Sequence, residues 1–307
     1  MKISIIGAGN VGSTVALYLA KKDLVKEIVV VDIVEGVPQG KTLDIMQAGP
    51  VEYFSTVLKG SNDFRDITDS NIVILAAGFP RKPGMDRMDL LIKNKEVVMQ
   101  AAENIKKYAP DSIVIVVTNP LDIMTYVMYK GTGFNHTKVI GMAGVLDSTR
   151  FRTFIARELD CSLEDVSDLV LGGHGDDMVP VKRFASVSGI PLTELLSDEK
   201  INELIDRTRK GGAEIVNLLK TGSAYYAPAA SVALMVDAIV KDKKRLITAS
   251  AYLNGEYGAK DVYCGVPVIL GKNGVEKIIE VKLLPEEKAA LDKSIATVKE
   301  GINSLQM

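Results

Sequence analysis

Apolar positions in the first 142 residues follow two alternating rhythms. Short, nearly unbroken β-branched runs appear in KISIIGAG, EIVVVDI, ITDSNIVILAAG, SIVIVVTNP and TKVIGMAG. Between them lie longer stretches with apolar residues every three or four positions, such as NVGSTVALYLAKKD and MDRMDLLIKNKEVVMQAAENIKKYAP. Continuous Val/Ile strands belong to sheets covered on both faces. Repeated strand–helix units then predict a doubly wound parallel sheet of the Rossmann type. The segment GKTLDIMQAG predicts a helix that stops at Gly49 and Pro50.

From about residue 143 the rhythm changes. Helical stretches such as DSTRFRTFIARELD and SDEKINELIDRTRKGGAEIVNLL mix with short strands such as RLITASAYL and VYCGVPVIL. An amphipathic helix near PEEKAALDKSIATVKEGINSL closes the pattern. The expected organisation is an α/β Rossmann domain over residues 1–142 and an α+β substrate domain over 143–307.

Composition narrows the function. A net charge of −2 gives no basic field for nucleic acid or an anionic membrane surface. No run of about 18 apolar residues suggests a membrane span. The first strand starts almost at residue 1, so no targeting segment is expected. Two cysteines far apart, Cys161 and Cys264, exclude a disulfide framework and a cysteine-rich zinc site. They fit a reducing, cytoplasmic location, and no metal is expected.

The first strand runs into GAGNVG, with Gly7, Gly9 and Gly12 spaced as G-x-G-x-x-G before a helix. One glycine permits the turn, one lets a pyrophosphate approach the backbone, and one lets strand and helix pack closely. The helix start offers free N–H groups to phosphates. Asp32 lies 20 residues after Gly12, at the end of the next strand. A carboxylate there accepts from ribose hydroxyls and repels a 2′-phosphate, which favours NAD over NADP.

Four other stretches carry chemistry. AAGFPRKPGMDRMDLL holds Arg81 and Arg87, and VTNPLD places Asn119 just past a strand. GVLDSTRFR sets Asp147 and Arg150 three apart, on one helical face. LGGHGDDM puts His174, one of only two histidines, in a flexible-looking glycine turn. The other, His136 in GFNHTK, has no such company and reads as structural.

In combination and order these motifs resemble the lactate/malate dehydrogenase family along nearly the whole chain. The resemblance is closest to the malate-acting members related to the lactate enzymes. It implies reversible oxidation of (S)-malate to oxaloacetate with NAD. His174 would be the acid–base group, since histidine titrates near neutral pH. Asp147 would orient it. Arg150 would grip the substrate carboxylate bidentately, Asn119 would bond the reacting oxygen, and Arg87 would polarise it. Expected cofactor contacts are Gly7, Gly9, Asn10, Val11, Gly12, Asp32, Asn94, Val117 and Asn119.

Arg81 would face the distal carboxylate of a dicarboxylic acid, where lactate dehydrogenases carry Gln. A buried carboxylate needs such a counterion. Ala224, or Ser223 one position earlier, would line the pocket. Residues 79 to 88 would form a lid over it. The resemblance also implies a homotetramer or homodimer. Lactate dehydrogenase is the alternative within the enzyme class, and a non-catalytic dinucleotide sensor the alternative outside it. Asp147 as a helix cap and Arg150 as a surface ion pair are the plain readings of those residues.

Overall fold

The computed structural model describes residues 1–79 and 87–306. In the first half the elements are β1 (Lys2–Ile6), α1 (Asn10–Lys21), β2 (Glu27–Val31), α2 (Val37–Glu52), β3 (Val57–Ser61), β4 (Ile72–Leu75), α3 (Arg87–Tyr108), β5 (Ile113–Val116), α4 (Leu121–Thr132), β6 (Val139–Gly141) and α5 (Gly144–Leu159). Short strands follow: β7 (Val166–Ser167), β8 (Val170–Leu171), β9 (Val179–Pro180), β10 (Ser186–Val187) and β11 (Ile190–Pro191). The chain closes with α6 (Leu192–Leu195), α7 (Asp198–Leu219), α8 (Tyr226–Val240), β12 (Arg245–Asn254), β13 (Lys260–Gly271), β14 (Gly274–Ile278) and α9 (Pro285–Ser304).

The main sheet has nine strands in the order β14-β13-β12-β6-β5-β4-β1-β2-β3. Its parallel part, read from the far edge, is 3-2-1-4-5-6, the order of a dinucleotide-binding doubly wound sheet. The strand order reverses between β1 and β4, which pair directly. Ligand crevices in such sheets open at the carboxyl ends of the strands flanking that point. All four residues of β4 and of β5 are buried, as unbroken apolar strands require.

The antiparallel strands β12, β13 and β14 continue the same sheet. They join it at one register pair, Ser250 opposite Gly141. A Cβ on Gly141 would lie 2.7 Å from Ser250 Cβ and from Thr125 Oγ1, so only glycine fits there. A smaller apolar cluster lies apart from the main core. It is built by Phe151 and Ile155 of α5, Val166 of β7 and Ile201, Leu204 and Ile205 of α7.

The predicted stop at Gly49–Pro50 is corrected: α2 runs through both residues to Glu52. Proline forfeits its N–H bond in this last turn, but its fixed φ is helical and Gly49 before it has no Cβ to clash with the ring. Gly49 packs on the Phe54 ring, 3.3 Å from where a Cβ would stand. No described helix is long and apolar enough to cross a membrane.

Candidate active site

The three glycines after β1 each meet a different constraint. Gly7 has φ +107°, and a Cβ there would lie 2.6 Å from the Ala77 amide nitrogen. A Cβ on Gly12 would sit 1.9 Å from the Gly7 carbonyl oxygen, so this glycine lets α1 close on β1. Around Gly9 nothing lies within 4 Å, leaving its backbone open to an approaching ligand. Gly9 also caps α1 without a side-chain hydrogen bond. The first helical amides, including those of Asn10 and Val11, have no partner within the helix and point to that opening. The cradle fits a pyrophosphate.

Asp32 holds the same turn. Its Oδ2 accepts from the Ala8 amide at 2.7 Å and its Oδ1 from the Val34 amide at 2.9 Å. A carboxylate oxygen has two lone pairs, so each retains one for a ribose hydroxyl. Asp32 is therefore a strut of the turn and a remaining acceptor.

Across the reversal point, Asn94 of α3 ties two strand ends together. Its Oδ1 accepts from the Phe79 amide at 2.8 Å. Its Nδ2 donates to the Asn119 carbonyl at 2.7 Å and the Phe79 carbonyl at 3.2 Å. All of these bonds go to backbone. Val117 is buried, with its amide on the Leu75 carbonyl at 2.9 Å. Asn119 is exposed three residues past the end of β5, just before α4.

The structure brings His174, Asp147 and Arg150 together. His174 Nδ1 lies 2.9 Å from Asp147 Oδ2, leaving Nε2 as the ring's other polar atom. Arg150 Nη1 donates to Asp147 Oδ1 at 3.3 Å. Asp147 is 2% exposed, His174 12% and Arg150 13%, so the set is shielded yet reachable. Burial opposes the charged imidazole. The charge and hydrogen bond of Asp147 outweigh it, with Asp122 assisting and Arg150 opposing, and the His174 pKa rises above its usual value. Asp147 stands in the first turn of α5, where a carboxylate is favoured by the helix dipole. A double glycine in mid-α7 makes room for Arg150. A Cβ on Gly211 would lie 3.2 Å from its Cδ, and one on Gly212 3.5 Å from its Nη2.

The turn bearing His174 is well anchored, contrary to its flexible-looking composition. Gly172 and Gly265 exchange backbone bonds at 2.9 and 3.1 Å. Ser294 Oγ of α9 accepts from the Gly173 amide at 2.8 Å. Asp122 Oδ2 of α4 accepts from the His174 amide at 2.7 Å. Next to His174, Gly175 has φ +121° and nothing within 4 Å of a would-be Cβ, so space opens on that side.

Sequence reasoning missed Asp122, Ser250 and Ser294. Only Asp122 left a trace, because it sits in the VTNPLD stretch that supplied Asn119. The paired glycines in RKGGAEIV, unfavourable inside a helix, were a signal for Arg150's neighbour. Nearby, Asp168 accepts from Ser148 Oγ. Its Oδ2 and the Nε of Arg152 are buried without a partner among the described residues. Burial pushes the Asp168 carboxyl up to about 7 against the pull of Ser148 and Arg152.

Arg81, most of the expected lid and the Arg87 side chain lie outside the described residues; the backbone of Arg87 opens α3. Ser223 is exposed and Ala224 half-buried in the link between α7 and α8. His136 stacks on Tyr252, with ring centroids 5.2 Å apart.

Residues 1–141 match the family model of the lactate/malate dehydrogenase NAD binding domain, and residues 144–306 that of the lactate/malate dehydrogenase alpha/beta C-terminal domain. The chain is 56% identical over 306 residues to a malate dehydrogenase of Chlorobium limicola, covering 100% of this chain and 99% of the relative. The solved malate dehydrogenase of Salinibacter ruber superposes with a TM-score of 0.96 at 50% identity, covering 100% of this chain and 98% of that one. A lactate dehydrogenase of Cryptosporidium parvum, solved with lactic acid and NAD, also superposes with a TM-score of 0.96, at 44% identity and covering 99% of this chain and 98% of that one. With both halves matched and relatives aligned from end to end, this chain belongs to the lactate/malate dehydrogenase family.

Proposed function

We propose that this chain is an NAD-dependent malate dehydrogenase, interconverting (S)-malate and oxaloacetate. The carrying observation is the shielded His174–Asp147–Arg150 set, with His174 Nδ1 committed to Asp147. The malate dehydrogenases of C. limicola and S. ruber support the substrate assignment.

Bound NAD would supply the acceptor for the hydride that leaves C2 of malate. The glycine cradle, the first amides of α1 and Asp32 would hold the cofactor. Asn94 and Val117 set the strand ends beside it, Asn94 through its backbone bonds. Residues 1–142 thus serve the cofactor and 143–307 carry most of the substrate site.

Arg150 spends one hydrogen bond on Asp147 among the described residues. Its remaining donors suit a bidentate grip on the C1 carboxylate. His174 Nε2 takes the hydroxyl proton in malate oxidation and returns it in oxaloacetate reduction. Asp147 holds the ring by Nδ1 and stabilises the imidazolium, in keeping with the raised His174 pKa. Asn119 donates to the reacting oxygen, and Arg87 supports charge on it.

On the sequence reading, Arg81 pairs with the distal carboxylate. Pyruvate has none and would leave that guanidinium unpaired. The test is NADH oxidation with oxaloacetate and with pyruvate, side by side, in wild type and Arg81→Gln. Wild type prefers oxaloacetate. The substitution lowers oxaloacetate kcat/KM by about 30- to 5,000-fold, as loss of a buried partner charge implies. A fall of less than about threefold, or a wild-type preference for pyruvate, moves the assignment to lactate.

The protein works as a homo-oligomer, a tetramer or a dimer. Leu43, Met46 and Val51 of α2 are 59%, 40% and 76% exposed, an apolar face that a second copy would cover. Its free cysteines suit the cytoplasm.

A further inference from the structure

Asp122 is a buried acid with no part in the proton transfer just described. It stands in the first turn of α4, three residues after Asn119, and is 4% exposed. Both of its oxygens are engaged by the second half of the chain. Oδ1 accepts from Ser250 Oγ of β12 at 2.6 Å, and Oδ2 from the His174 amide at 2.7 Å. Ser250 is the residue at which β12 meets β6. A backbone N–H can only donate, so the Oδ2 bond requires an acceptor oxygen at this point. The carboxylate form satisfies both donors at once.

We propose that Asp122 is a positioning residue for His174, gripping its main chain and placing a second negative charge behind the imidazole, alongside that of Asp147. Asp122 also lies only three residues along the chain from Asn119, so its hold on the His174 backbone keeps the proton-transferring ring and the oxygen-binding amide close together. The proposal rests on the reading of His174 as the acid–base group.

The groups that act on the imidazole are Asp147 and Arg150 from α5 and Asp122 from α4. Those around Asp122 are Ser250, His174 and Asp147, and the Cys264 thiol of β13 faces it. Burial raises the Asp122 carboxyl above its usual range, with the Asp147 charge adding to the rise; its two hydrogen bonds and the His174 charge oppose this without cancelling it. Asp122 and His174 therefore favour each other's charged forms.

The experiment is the pH dependence of kcat/KM for oxaloacetate reduction, with NADH affinity measured in parallel. Asp122→Asn keeps the shape and an acceptor for the His174 amide but removes the charge. The midpoint assigned to His174 moves down by about half a pH unit or more. NADH affinity stays within about threefold, since the cradle is elsewhere. Asp122→Ala also removes the grip, and kcat falls by at least about tenfold, because small misplacements of a reacting group are costly. An unmoved midpoint in Asp122→Asn overturns the proposal whatever happens to kcat. Should that variant not fold, Ser250→Ala gives the same reading. It strips the carboxylate of one donor, so the midpoint again moves down, and an unmoved one overturns the proposal. His174→Asn separates the two levels. If it keeps more than about a tenth of wild-type kcat, the acid–base reading itself fails. If it loses turnover while Asp122→Asn leaves the midpoint in place, only the role of Asp122 falls.

Discussion

The turn after β1 is shaped by its own glycines and by the end of the neighbouring strand β2, whereas the turn after β8 is gripped from three distant elements. In the first, Gly12 clears the carbonyl of Gly7, five positions away, and Asp32 braces Ala8. In the second, Asp122, Gly265 and Ser294 hold consecutive residues of a turn whose own sequence offers little rigidity. Both turns are rich in glycine, yet the glycines do different work. Around the cofactor cradle they remove atoms so that backbone and ligand can approach. Around His174, Gly175 leaves open space while side chains from elsewhere supply the order. A short motif can encode the first kind of site; the second exists only once the sheet has closed.

The largest effect that separates the two regions is expected from Asp147→Asn. The amide cannot stabilise the imidazolium as a carboxylate does, so kcat falls by about 10²- to 10⁴-fold, the usual worth of acid–base help. Because Asp147 raises the His174 pKa, the midpoint of the oxaloacetate pH profile also moves down. NADH affinity, read by fluorescence titration, stays near wild type; a parallel collapse would mean that the two regions are not independent.

Gly12→Ala breaks the other side of the comparison. The added methyl meets the Gly7 carbonyl, and overpacking of this kind costs about 1–3 kcal/mol. NADH affinity is expected to fall about tenfold or more, at roughly 1.4 kcal/mol per decade. Calorimetric titration that returned a wild-type Kd would show that the cradle tolerates a shift of α1.

Asp168 probes the cost of a carboxyl buried beside this set. Its folded pKa of about 7 stands above the ordinary carboxyl value of 3.8. Between those values the folded chain holds a proton that the unfolded chain has lost. Stability therefore declines as pH rises through this window, and the loss is complete above about 7. Asp168→Asn keeps an acceptor for Ser148 and removes the charge. Its stability relative to wild type should grow by roughly 4 kcal/mol between pH 4 and pH 8. Urea unfolding at the two pH values is the measurement, and a pH-independent difference refutes the buried-carboxylate account.

The smallest effect is expected from Ser294→Ala, which orphans the Gly173 amide. Loss of such a buried partner costs about 1–3 kcal/mol, here toward the lower end because Asp122 and Gly265 still hold the turn. A several-fold drop in kcat with a modest fall in Tm fits this view. An unchanged kcat would assign the order of the turn to its other two supports.

The same contrast explains what the sequence disclosed. The parallel sheet, its helices and the cradle were legible because periodicity and spacing act within tens of residues. Asp32 could be placed by its distance from Gly12, though its service to the Ala8 and Val34 amides could not. His174, Asp147 and Arg150 were recognisable as a set by resemblance, and the structure brings them into contact. Ser250 and Ser294 carried no signal: a serine in a strand or helix is unremarkable until its distant partner is known. The continuation of the sheet by β12 to β14 was hidden for the same reason. Strand pairing across about 100 residues leaves no trace in local pattern. The misplaced end of α2 came from treating Gly49–Pro50 as a stop, although a glycine before the proline spares the helix part of the usual clash.

The seam between β6 and β12 has a consequence for how the chain is made. β6 is complete at Gly141, but β12 begins only at Arg245. At synthesis rates of about 5–20 residues per second, roughly 5–20 s pass before the covering strand emerges. During that interval the nascent sheet has a bare lateral edge, the kind of surface that recruits strands from other chains. β6 spans only Val139–Gly141 and pairs with β12 at a single position. A strand so short, ending in glycine, offers little template to a stranger. A seam this brief gives the half-made protein little edge to expose on the ribosome, before any of its chemistry exists.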